Sequence, residues 1–189
     1  MMFSTIHTVS AATPCSHGYY TFSDLKKIGG VGGYGNNRQY YWRTGFSSAW
    51  NTIVDNAVSE WVNTTSISIR QTSTKSEAMF EIWNESHPPS QDGGCLLYVQ
   101  QTNINPGYSA PTQNWYWAKI GVDATKINGY AGVSDLMRKG VVAHELGHAM
   151  GLAHRSSTAQ VDCLMHPYTM GTRASRANAS ECNIINHLY

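Results

Sequence analysis

One stretch restricts the fold of this 189-residue chain more than any other: His144-Glu145-Leu146-Gly147-His148-Ala149-Met150-Gly151-Leu152-Ala153-His154. Leu136, Met137, Val141, Val142, Leu146 and Met150 follow helical spacing and Asp135 offers an N-cap, so a helix is predicted from near Asp135 to about Met150. Four residues advance a helix by about 400°, which sets His144 and His148 about 40° apart on one face and about 6 Å apart along the axis. Two imidazoles in that relation can converge on one zinc ion at roughly 2.0–2.1 Å. Glu145 falls beside them, placed to take a proton from a water on the metal without being a ligand itself. A straight helix would carry His154 about 9 Å beyond His148, too far to share the ion. Gly151 removes the difficulty, because glycine takes the left-handed conformation that ends a helix and turns the chain back. Three imidazoles then leave one position open, as in a catalytic rather than a structural zinc site.

The pattern His-Glu-x-x-His alone also arises on surface helices with two unrelated histidines. The continuation through Gly151 to His154 sets this one apart. His7 and His17 read as loop residues, His187 as a helix-surface residue, and His166 as facing solvent or the cleft. His87 and Asp92 flank a Pro-Pro turn, but one His and one Asp do not make a site, so a structural Ca2+ has no clear motif behind it.

The formal charge is +1, from 13 basic and 12 acidic residues, which leaves no basic face for nucleic acid. No apolar run approaches the roughly 20 residues that span a bilayer, so no membrane partner is expected. Charged residues make up 13%, against roughly 25% in ordinary soluble domains, and polar, glycine and aromatic residues fill the gap, a texture common in secreted proteins. Met1 to His7 lacks the basic and apolar regions of a signal peptide, so the secreted, extracellular location expected here implies a leader absent from this chain. The four cysteines, Cys15, Cys95, Cys163 and Cys182, form no Cys-x-x-Cys pair; an even number in such a chain favours two disulfides, with three connectivities open.

Residues 1–35 read as an N-terminal extension ending in a glycine-rich linker, Gly29 to Gly35, and 36–189 as the main domain. Arg38 to Trp42 looks like a first strand. A long amphipathic helix follows, its apolar stripe running Phe46, Ala49, Trp50, Ile53, Val54, Ala57, Val58, Trp61 and Val62, which is scaffold. Further strands are expected at Ser66 to Arg70, Ala78 to Trp83, Cys95 to Val99 and Trp117 to Asp123, and a last helix at Glu181 to Leu188.

His-Glu-x-x-His-x-x-Gly-x-x-His is the signature of the metzincins, in which a Met-turn follows. Cys163-Leu164-Met165-His166-Pro167 is similar to that turn and places Met165 eleven residues after His154. Within the metzincins, Val141 to His154 resembles the active-site helix of the matrixins, the matrix-metalloproteinase family. The element order also looks like that family's catalytic domain. Three features differ: Arg155 follows the third histidine, Tyr168 directly follows Pro167, and Cys15 lies outside any cysteine-switch segment.

The resemblance implies an α/β fold of zincin-like, metzincin type. Its parts would be a twisted, mixed, mostly parallel sheet with an antiparallel edge strand, the active-site helix, the Met-turn and a C-terminal helix. The upper part would end at Gly151 and a smaller C-terminal subdomain would follow. It implies a zinc endopeptidase with Glu145 as base, His144, His148 and His154 on one catalytic Zn2+, and Met165 as a floor beneath them. Leu96, Leu97 and Tyr98 would pair with an extended protein or peptide substrate, and Tyr168 would line an apolar P1′ pocket. Disulfides Cys163–Cys182 and Cys15–Cys95 are expected with this layout, in a monomer. The rival from another class is a catalytically silent zinc-containing binding module, an adhesin or carbohydrate binder; an intact Glu145 argues against it.

Overall fold

The computed structural model describes residues 21–22, 25–30, 33–34, 38–88, 95–101, 111, 113–154, 163–166 and 175–189; of residues 30, 33–34, 38 and 95–101 it describes the backbone. Within the glycine-rich stretch, β1 (Gly29–Gly30) pairs antiparallel with β2 (Gly33–Tyr34). The extension is tied to the main fold by Ile28, which is fully buried and bridges Trp115 in parallel. Aromatic and β-branched residues then favour extended chain, and β3 (Arg38–Thr44) begins the principal sheet.

The apolar stripe of α1 (Ser48–Thr64) is a helical face as expected, with Trp50, Ile53, Val54, Ala57, Val58 and Trp61 all buried. Ser47 caps it by accepting the Trp50 N–H, so Phe46 lies before the helix and stacks on Trp50, ring centroids 6.2 Å apart. β4 (Ser68–Gln71), a 3₁₀ turn at Lys75–Glu77, β5 (Phe80–Asn84), β6 (Cys95–Gln101) and β7 (Trp115–Val122) follow. The sheet order is β4-β3-β5-β7-β6. β4, β3, β5 and β7 run parallel to their neighbours, with Tyr41 opposite Phe80 and Ile82 opposite Ile120, while β6 lies antiparallel along β7.

After β7 the chain makes α2 (Ala124–Asn128), a helix the sequence reading did not anticipate. Five residues are too few to show a 3.6 period; its local signal is Asp123, whose carboxylate accepts the Lys126 N–H as a cap. Next come α3 (Asp135–Met150) and α4 (Ala179–Leu188). The core lies between the sheet and helices α1 and α3, from Phe80, Ile82, Ala118 and Ile120 across to Val54, Trp61, Val142 and Leu146. Burying each such aliphatic side chain is worth about 1.5–3 kcal/mol. Lys139 of α3 reaches the buried Glu60 of α1 at 3.0 Å, a polar tie at the edge of that packing.

The expected Cys163–Cys182 bridge is not formed; neither cysteine is in a disulfide. Cys163 is buried in its turn, whereas Cys182 faces the Thr64 hydroxyl at the end of α1, and burial pushes its thiol pKa up. The tie between that turn and α4 is made by a carboxylate instead: Glu181 accepts the backbone N–H groups of Leu164 at 3.2 Å and Met165 at 2.7 Å. Cys15 and the side chain of Cys95 lie outside the described residues.

Candidate metal centre

The cap of α3 lies one residue before the expected one: Ser134, whose side chain accepts the Met137 N–H, so that Asp135 is already the first helical residue. It ends at Gly151, whose φ of 115° is the left-handed turn the spacing to His154 requires. The backbone N–H groups of Gly151 and Leu152 fold back onto the carbonyls of His148 and Gly147, both at 2.9 Å, so the reversal satisfies groups a helix end would otherwise leave open. Trp115 Nε1 donates to Ala149 O at 3.0 Å and the Tyr189 hydroxyl to Met150 O at 2.8 Å, which meets two more of them.

This turn brings the three imidazoles together. His144 Nε2 stands 3.0 Å from His148 Nε2 and 3.1 Å from His154 Nε2, and the last two are 3.0 Å apart. His144 Nδ1 lies 2.8 Å from Leu164 O and His148 Nδ1 2.7 Å from Leu152 O. A carbonyl can only accept, so each Nδ1 carries the proton and each Nε2 of that pair presents a lone pair. Lone pairs converging at 3.0 Å repel one another, and a cation between them removes that repulsion, so the three rings could hold a metal ion. Three nitrogens bound to one tetrahedral zinc at 2.0–2.1 Å stand roughly 3.4 Å apart, a few tenths more than here, so the donor set fits the ion with a small outward adjustment. Among the described residues, no other three His, Cys, Asp or Glu side chains gather in this way. That includes the region of His87, whose N–H donates to Asp123 at 2.9 Å; Asp92 lies outside the described residues.

Met165 is buried under the helix. A Cβ placed on Gly147 would stand 2.5 Å from its Sδ and 3.1 Å from Trp61 Cζ2, so the glycine between His144 and His148 is what admits the methionine. Trp61 in turn donates its indole N–H to Ala143 O at 2.9 Å, just before His144. Glu145, half-buried, occupies the helix position next to His144. Leu96, Leu97 and Tyr98 lie on β6, the last strand in the sheet order; their side chains, and the whole of Tyr168 and Arg155, are outside the described residues.

Sequence reasoning missed the residues that hold the imidazoles in place. The carbonyls of Leu152 and Leu164 carry no side-chain signal. Glu181 did have one, because Asn178-Ala179-Ser180-Glu181 has the spacing of a capping box, and the box is formed, with the Glu181 carboxylate accepting the Asn178 N–H at 2.7 Å. The same carboxylate, fixed by the start of α4, then fixes the Met165 turn. Comparison of the sequence with protein-family models and with curated proteins gives no match.

Proposed function

We propose that this protein is a zinc-dependent endopeptidase of the metzincin type, nearest the matrixins in its active-site helix. The observation that carries the reading is the meeting of three imidazole Nε2 atoms within 3.1 Å of one another, two of them held in the metal-binding tautomer by backbone carbonyls. His144, His148 and His154 would hold the ion. When bound, zinc supplies Lewis-acid polarisation of the scissile carbonyl and a lowered pKa for water.

The chain's own residues do the rest. Glu145 takes the proton of the attacking water, so that the hydroxide oxygen forms a bond to the carbonyl carbon. The carboxylic acid so formed returns the proton to the amide nitrogen as the C–N bond breaks, leaving Glu145 ionised for the next cycle. Leu152 O and Leu164 O keep the two helical imidazoles from rotating, and Met165 fills the space beneath them. An extended substrate laid along β6 and an apolar P1′ residue belong to the same proposal.

The test is to measure zinc content and cleavage of an unstructured protein together. One zinc per chain is expected, activity should vanish with a chelator, and Glu145→Ala should lose roughly 10²–10⁴-fold in rate while keeping its zinc. Activity persisting in Glu145→Ala, or in metal-free protein, would overturn the reading.

A further inference from the structure

We infer that Phe22 is a positioning residue of the metal centre, holding the His148 ring in its ligating orientation through an offset-stacked contact supplied by the N-terminal segment. The inference rests on the reading of the three imidazoles as a zinc site and deepens it. The Phe22 ring lies against that of His148 with centroids 5.6 Å apart and planes 23° apart, close to parallel. Its backbone N–H donates to Gly151 O at 2.9 Å, and Thr21 forms an antiparallel bridge with Leu152. Leu152 is the residue whose carbonyl fixes His148 Nδ1. One pair of residues therefore controls both the plane of this ligand and the acceptor that sets its tautomer.

The segment is itself well held. Trp115 meets the Phe22 ring edge-on at 6.4 Å. The Ile28 N–H donates to the Tyr189 hydroxyl at 3.1 Å, and Lys27 Nζ donates to Leu188 O. The carbonyl of Lys26 comes so close to Gly151 that a Cβ there would lie 2.5 Å from it. The turn after α3 is thus moulded against Thr21, Phe22 and Lys26, not merely near them.

An aromatic face matters here for an electrostatic reason. A metal-ligated imidazole is electron-poor, and the negative face of a phenyl ring attracts it more than it attracts the neutral imidazole of the empty site. The contact therefore favours the loaded state over the empty one, which a purely space-filling side chain would not do. Outer partners of metal-bound histidines commonly account for 10–100-fold in metal affinity.

The experiment uses the full chain and zinc itself, with affinity measured by competition against a chromophoric chelator and the ligand field read from the visible bands of the cobalt-substituted protein. Phe22→Leu keeps the apolar volume; it is expected to weaken zinc binding about 10-fold and to shift the cobalt bands, with the unfolding temperature of the metal-free protein little changed. Phe22→Tyr should restore both to wild-type values. Phe22→Ala adds a second point, and if it fails to fold, the leucine and tyrosine variants still decide. Wild-type affinity and spectrum in Phe22→Leu would overturn the inference while leaving the zinc site intact, as would equal losses in the leucine and tyrosine variants. Failure of the unmodified protein to bind zinc would overturn both.

Discussion

The three ligands of the candidate centre arrive in two different ways. His144 and His148 sit on a helix, buried, each with Nδ1 fixed by a backbone carbonyl, and their mutual geometry is set by the pitch of α3. His154 sits beyond the turn and is exposed. The first pair belongs to the scaffold and is preorganised in the folded chain. The third histidine depends on the turn at Gly151 for its position, whereas for His148 this turn and the N-terminal residues against it only orient a ring the helix already places. The contrast suggests a site with two fixed donors and one that can adjust when the ion enters.

The sharpest way to break this contrast is to remove one ligand from each side. His148→Ala should cost more in zinc affinity than the roughly 10–100-fold typical of an outer partner, because it deletes a preorganised donor and leaves Leu152 O without its imidazole. His154→Ala should cost less than His148→Ala in the same chelator competition. Equal losses, or a larger one for His154, would mean that preorganisation on the helix does not set the affinity.

Gly151→Ala addresses the hinge between the two regions. A left-handed alanine costs about 1–2 kcal/mol and the clash with Lys26 O about 1–3 kcal/mol more, so a loss of about 2–5 kcal/mol in unfolding free energy is expected. Denaturant unfolding of the metal-free protein measures it. A loss below about 1 kcal/mol would show that the turn relaxes freely and that its moulding against Phe22 and Lys26 has little energetic weight.

The smallest effect is expected inside the helical region. Gly147→Ala drives a methyl group into Met165 Sδ, but a methionine side chain can swing away, so about 1 kcal/mol is expected, the lower end of overpacking costs. Pairing it with Met165→Ala should recover part of that loss in a double-mutant cycle. Strict additivity would mean that glycine and methionine do not share the space beneath the ligands.

The sequence was most legible where the determining interactions are local. The 3.6-residue period placed α1 and α3 closely, and the requirement for chain reversal at Gly151 followed from spacing alone. The partners that complete the centre are distant in sequence and were not legible. Leu164 lies twenty residues after His144, and its contribution is a carbonyl, which every residue carries. Thr21, Phe22 and Ile28 looked like the end of an extension because the glycines that follow, from Gly29 to Gly35, speak for flexibility, while the burial of Ile28 depends on the Trp115 and Tyr189 regions. The cysteines misled for a related reason: an even count says that pairs are available, not which sulfurs face each other, and Glu181 already joined the two elements that Cys163 and Cys182 occupy.

The reversal at Gly151 has one more consequence. It halts α3 directly after the turn that carries His148, and so leaves the negative end of the helix macrodipole, equivalent to roughly half an elementary charge, beside the place where a cation would sit. Had the helix run on for another two turns, that partial charge would have been carried away from the imidazoles. A single backbone dihedral thus shapes the field of the centre as well as its geometry.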